Sequence, residues 1–263
     1  MPKRGEGTVS PLTRSILVLE EVARHRKACS FTSLMRELKF PKSTLHRVLT
    51  SLTDECLLEF NAEENGYRLG LRLSALSLKA VHGLKIRDAV RPEIETLGAF
   101  VKENVLVGQR DDTKLLYVDR VDSQQTIQMI SQLGNRGPLH CTGLGKAILA
   151  FTESEITEAL IPRMSLDRFT ENTICETDRF SAELDKIRQQ GFAMDDCEHQ
   201  MEIHCIAAPV FGMNGHVIAA ISISAPVFRV SRDTLISWIP KLLETSQRIS
   251  LKLGDNKETT SLS

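Results

Sequence analysis

The sequence predicts an α+β chain in two parts. A small winged helix-turn-helix domain comes first, and a helix joins it to a larger domain built on an antiparallel sheet. Three observations carry that expectation. Two short helical patterns between Phe31 and Leu52 are separated by Lys39-Phe40-Pro41-Lys42; in the second, Leu45, Val48, Leu49 and Leu52 recur at the spacing of one buried helix face. Farther on, strand and helix patterns alternate irregularly and Asn214-Gly215 divides two apolar runs, which favours antiparallel hairpins over a doubly wound parallel sheet. The charge also divides: residues 1–58 hold ten Lys/Arg against six Asp/Glu, and residues 91–263 hold 18 against 24. Only the front is suited to a polyanion.

The front elements follow in order. Residues 1–9 read as a frayed basic arm in which Lys3 and Arg4 are available to phosphate. A first helix is expected from Ser10-Pro11, with Ser as cap and Pro at the first helical position. Its inner stripe is Ile16, Leu19, Val22 and Ala23; Leu34, Met35 and Leu38 serve the second helix. Three short helices on one core are the minimal helix-turn-helix. The third turns Lys42, Ser43, His46, Arg47 and Thr50 away from that core. A cationic face with hydroxyls near the helix start suits a DNA major groove, with Ser43, Thr44 and Arg47 as principal contacts and His46 beside them. Taken alone, the pattern equally suits an amphipathic helix with a solvated outer face. Leu57–Phe60 and Gly66–Leu69 then form a hairpin around Asn61–Asn65, in the position of a wing that must pack on the helices. Glu63 and Glu64 are expected to keep its tip off phosphate, leaving Arg68 as the wing's contact.

Domain limits are placed at 10–70, 71–90 for the linker helix, 91–253 for the second domain and 254–263 for a polar tail. The linker carries Leu73, Leu76 and Ala80 on one side and is weakened at Gly83. In the second domain, a helix is expected over Pro92–Glu103, followed by strands at Val105–Gln109, Leu115–Val121 and Thr126–Ile130. Helices follow at Gly145–Phe151, Glu153–Leu160, Arg179–Gln190 and Arg232–Leu253, and further strands at Ile206–Phe211 and Val217–Ile223.

Two places in the second domain carry chemistry. Gly143-Leu144-Gly145-Lys146 is not a phosphate loop, because the glycine spacing is wrong and Ala147 stands where Ser or Thr is needed. Glycines entering a helix still offer free N–H groups to a small anion, and with Thr142 nearby the site suits a carboxylate. A tight turn alone would equally explain them. Ser222 and Ser224 alternate in an apolar strand, so both hydroxyls project from one face and need partners that a polar ligand can supply.

Pro41-Lys42-Ser43-Thr44-Leu45-His46-Arg47-Val48-Leu49, then a strand pair ending Gly66-Tyr67-Arg68-Leu69-Gly70, resembles the winged helix-turn-helix of IclR-type transcription regulators. The likeness continues in family order through Leu133–Ala150, Gly191–His199, Cys205–Phe211 and Ala219–Pro226, and spans roughly residues 10–253. It implies a GAF-like effector domain whose pocket for small organic acids is lined by the glycine-rich turn at Gly143 and Leu144, by Asp195, Cys205, Ser222 and Ser224, and by Met129 and Ile203 as walls. It also implies a linker that pairs subunits, homodimers and dimers of dimers, and a double-stranded DNA operator as partner. Two positions depart from the family pattern: many relatives carry Ala at Gly143, and a common Glu-Thr-Val is Glu103-Asn104-Val105 here, at the expected pocket floor.

Other classes fare less well. With 41% apolar and 25% charged residues the composition is that of an ordinary globular protein. No apolar run reaches membrane-span length and the start lacks a signal core, so a cytoplasmic protein is expected. The six cysteines are scattered and read as thiols. An enzyme built on Cys205, His204, His140 and Asp195 is disfavoured, because His204 and Cys205 are adjacent on a strand and point to opposite faces. A zinc-responsive regulator is the sharper rival: Asp195, Cys197, Glu198, His199, His204 and Cys205 offer ligand types within eleven residues, though at no standard spacing. A carboxylate-binding module without a specific DNA site is the other alternative. The expectation is a transcription regulator that needs no cofactor and whose operator affinity changes with a small carboxylate.

Overall fold

The computed structural model of the protein describes residues 10–25, 27–82, 86–125, 133–213 and 215–254. Lys3, Arg4, Gly83, Met129, the strand expected at Thr126–Ile130, Asn214 and the tail after Gly254 lie outside the described residues. The chain forms two compact units, divided between Leu84 and Lys85.

In the first unit, α1 spans Pro11–Ala23, with the Ser10 hydroxyl accepting the Thr13 N–H at 3.1 Å. Its inner stripe differs from the expected one. Val18 and Val22 are buried and Leu19 packs beside them, while Ile16 and Ala23 face outward. Residues two apart lie on opposite sides of a helix, so once Val18 takes the core, Ile16 must leave it. Helix α2, Phe31–Leu38, is capped by Ser30 and ends at left-handed Lys39. Helix α3, Lys42–Asp54, already includes Lys42, so the break is three residues. Leu45, Val48, Leu49 and Leu52 form its buried face as expected, against Val18, Val22, Leu34 and Leu58.

Strands β1, Leu58–Asn61, and β2, Gly66–Leu69, form the antiparallel wing. The wing is fastened to the loop before α2, where Cys29 and Tyr67 exchange N–H···O bonds of 2.8 and 2.9 Å. At Gly66 a Cβ would lie 2.9 Å from the Ala28 carbonyl carbon, so this close approach admits only glycine. Helix α4, Leu71–His82, begins directly after the wing, and Arg72 binds both the carboxylate and the backbone carbonyl of Glu55 at the end of α3.

The second unit is one antiparallel sheet in the order β5-β4-β3-β8-β7-β6. Its strands are β3 Asn104–Asp111, β4 Lys114–Val121, β5 Arg136–Pro138, β6 Ala193–Asp196, β7 Ile203–Phe211 and β8 Val217–Pro226. The two short outer strands were not anticipated: Arg-Gly-Pro and Ala-Met-Asp-Asp carry no β-branched residue and no clear alternation. One face of the sheet packs on α5, Ile86–Val101, and α10, Ile239–Gly254. The other packs on α6, Gly143–Phe151, and α8, Thr177–Gln190; α7 is Ser154–Leu160 and α9 Arg232–Ser237.

Helices α6, α7 and α8 start within two residues of the expected positions, and two other helices differ more. Helix α5 begins six residues before Pro92, because Ile86, Val90, Ile94 and Leu97 make one buried stripe that outweighs the lost proline donor. The last helix divides at Trp238, just before Pro240, which cannot donate and so restarts a helix more readily than it continues one.

Candidate DNA-reading helix and ligand cavity

Helix α3 owes its outward face to the aliphatic stripe beneath it. Lys42, Ser43, His46, Arg47 and Thr50 are exposed and Thr44 is half-buried. The helix starts at Pro41 with no side-chain cap, so its first N–H groups stay open to an anion along with the Ser43 hydroxyl. Arg47 lies one turn farther along the same surface. Arg68 is placed differently. It pairs with Glu64, whose other oxygen accepts the Ala28 N–H at 2.7 Å. That N–H and the Arg68 cation hold the Glu64 carboxyl below its usual range. Glu64 therefore fastens the wing turn, and Arg68 is paired with it on the exposed side of the wing.

In the second unit, sheet register gathers the polar residues. Asp195 of β6 lies opposite Cys205 of β7, which lies opposite Ser224 of β8; one row along, Ala207 faces Ser222 and Ser222 faces Leu106 of β3. All project toward α6. All but Ala207 line a cavity of about 60 Å³ together with Thr142, Gly143, Leu144, Tyr117, His199, Gln200 and Ile203. Seven sequence-predicted positions thus share one cavity: Gly143, Leu144, Asp195, Ile203, Cys205, Ser222 and Ser224. Tyr117, Leu106, Gln200 and a pocket role for His199 were missed. A strand bulge between Val107 and Gly108 shifts the pairing to Gly108 opposite Tyr117, an irregularity that periodicity does not reveal. Asn104 is buried next to Ser224 but does not line the cavity; its side-chain carbonyl accepts the Ser123 N–H at 3.0 Å.

The glycine pair has two separate functions. Thr142 caps α6 by accepting the Gly145 N–H at 3.2 Å and anchors itself by donating to the Pro138 carbonyl at 2.7 Å. Among the described residues, the N–H groups of Gly143 and Leu144 are left without a partner at the cavity wall. A Cβ on Gly145 would lie 2.5 Å from the Leu139 Cα, so this glycine sets the packing of α6 on the preceding loop. A Cβ on Gly143 would instead meet the Cys205 sulfur at 2.8 Å, inside the cavity wall. Lys146 points elsewhere: it is fully buried, paired with Glu198 and, at 3.4 Å, with Glu183, which removes any phosphate-loop role.

The cavity disfavours charge. Burial pushes the Asp195 carboxyl up to about 7, against the opposing pull of the Glu198 N–H, and the Glu198 charge raises it further. Its Oδ1 accepts N–H groups from Glu198 at 2.7 Å and His199 at 3.4 Å. Burial likewise pushes the Cys205 thiol up to about 12, and the Asp195 charge raises it further. Such a thiol is a poor nucleophile. The Ser222 hydroxyl is wholly buried and has no hydrogen-bond partner among the described residues. No group of three or more His, Cys, Asp or Glu among the described residues is arranged to hold a metal ion, and no described helix is long and apolar enough to cross a membrane.

Comparisons with known proteins agree with this geometry. Residues 11–62 match the IclR helix-turn-helix domain, and residues 78–251 match the bacterial transcriptional regulator IclR C-terminal family. The chain is 30% identical over 247 residues to the HTH-type transcriptional regulator KdgR of Dickeya chrysanthemi, covering 94% of this chain and 81% of that one. It superposes on the crystal structure of the Thermotoga maritima IclR with a TM-score of 0.77 and 26% identity, covering 92% and 98% of the two chains. An IclR homologue from Microbacterium hydrocarbonoxydans, crystallised with 4-hydroxybenzoate, shares the fold with a TM-score of 0.79 and 24% identity, covering 93% and 99%. The relatives are transcription regulators and not enzymes. The chain belongs to the IclR family of bacterial DNA-binding transcription regulators.

Proposed function

We propose that the protein is a cytoplasmic regulator that reads a near-palindromic operator through α3, and whose operator affinity is altered by a small carboxylate held in the cavity of the second unit. The carrying observation is the Ser222 hydroxyl, buried without a partner among the described residues beside the open N–H groups of Gly143 and Leu144. A buried hydroxyl left unpaired costs free energy that a ligand oxygen recovers. One carboxylate can accept from a helix N-terminus and from a hydroxyl together. The acid bound by the Microbacterium homologue supports this ligand class.

On the DNA side, Lys42, Ser43 and the open helix start hold phosphate, while Arg47, Thr44, His46 and Thr50 approach base edges. Homodimers, and dimers of dimers, would present paired α3 helices to half-sites one helical turn or a multiple apart. The acid acts only if it binds one arrangement of the front units better than another.

Selecting duplexes from a random pool and measuring binding by fluorescence anisotropy tests the DNA side. Arg47→Ala is expected to weaken the selected site ten- to a hundredfold, about 1–3 kcal/mol, and to relax the sequence preference. Unchanged affinity for the selected duplex refutes the role given to α3.

A further inference from the structure

The cavity that attracts an anion also contains a fixed carboxyl. Asp195 is buried to about 5% exposure and lines the same 60 Å³ space as the Gly143 and Leu144 N–H groups and Ser222. Its Oδ1 is occupied by the Glu198 and His199 N–H groups, which among the described residues leaves Oδ2 as the oxygen free to meet a ligand. A ligand carboxylate brought against so deeply buried a carboxylate is repelled strongly, because little water screens Asp195. A single shared proton turns that repulsion into an O–H···O⁻ hydrogen bond, among the stronger kinds.

Resting on the carboxylate reading above, we propose that the cavity takes up its acid together with one proton from solvent, which binds Asp195 Oδ2 and is donated in a hydrogen bond to the ligand carboxylate. The step is a protonation only: an O–H bond forms on Asp195, hydronium becomes water, and the pair of acids keeps a single negative charge facing the helix start and Ser222.

The surroundings isolate this titration. Across the sheet, Cys205 and Tyr117 stay protonated through neutral pH, because burial raises both; at the entry to α6, Cys141 does so for the same reason. From the loop after β6, His199 is held below its ordinary value by burial and by His140, and His140 is lowered by burial as well. Both imidazoles are therefore neutral above pH 7. Cys197, beside Asp195, is raised by burial and by the Asp196 and Asp195 charges. Glu198, also raised by burial, is bound to Lys146 from α6, with Glu183 of α8 behind it, and does not line the cavity. Asp195 is the group of this set that both faces the ligand and changes charge near neutrality.

The full chain is titrated by calorimetry with acetate, propionate, lactate and benzoate, from pH 6 to 9, in buffers of different ionisation heat. For any probe that binds, the dissociation constant is expected to be flat below about pH 7 and to rise close to tenfold per pH unit above it, with uptake of nearly one proton per ligand at pH 8. In Asp195→Asn the amide keeps its oxygen on the two N–H groups and presents a permanent donor, so binding persists, the pH slope vanishes and proton uptake falls to zero. Binding without proton uptake in the parent protein, or an unchanged slope in Asp195→Asn, overturns the proton coupling and leaves the carboxylate reading intact. Failure of every probe to bind at pH 6 overturns the carboxylate reading, and the coupling with it.

Discussion

The polar face of α3 and the polar wall of the cavity carry similar chemistry in opposite surroundings. On α3, Lys42, Ser43, His46, Arg47 and Thr50 are in water, where solvent satisfies them and an empty site costs nothing. In the cavity, Ser222 has no partner among the described residues and Asp195 is desolvated, so the empty site costs free energy until something fills it. A DNA-facing substitution should therefore change affinity and leave stability alone. A cavity substitution should change acid affinity and stability together, and ligand should raise the melting temperature of the second unit.

The largest effect that sharpens this contrast is expected at Gly145. A methyl there would press on the Leu139 backbone, which cannot yield as a side chain can. Gly145→Ala should lose roughly 3 kcal/mol or more in denaturant unfolding followed on the second unit. Gly143→Ala meets the Cys205 sulfur at 2.8 Å and the Ala207 Cβ at 3.3 Å, side-chain atoms where Gly145 meets backbone. It should cost well under half as much in stability, yet weaken acid binding by crowding the cavity. Equal losses at the two glycines would break the separation between packing and binding.

The smallest effect is expected on the wing. Arg68→Ala removes an exposed partner of Glu64, and such solvent-screened pairs contribute little. Operator affinity measured by anisotropy should change less than threefold. A loss as large as that for Arg47→Ala would show the wing cation on the DNA.

These two regions also differ in how far they are legible from residues alone. The α3 face was read correctly because Leu45, Val48, Leu49 and Leu52 fix the helix rotation, and every other position follows from it. The α1 stripe was misread because aliphatic side chains occur on two of its faces, and only packing against α3 decides that Val18 enters the core and Ile16 does not. In the cavity, alternation placed Ser222 and Ser224 on one face, and family resemblance brought in Asp195 and Cys205. Tyr117 could not be found in either way, since a bulge in β3 sets its partner. Strand β6 was missed because Asp195 and Asp196 oppose strand propensity and are held by pairing with β7.

The central claim is that an acid in this cavity controls what α3 does. It is tested most directly by the operator dissociation constant of Ser222→Ala, measured against increasing amounts of the best-binding monocarboxylate. The account predicts that the variant binds the operator like the parent when no acid is present. Its response should need roughly tenfold more acid, the loss of one hydrogen bond to a charged oxygen. A response at the parental acid concentration, with operator binding intact, would contradict the account.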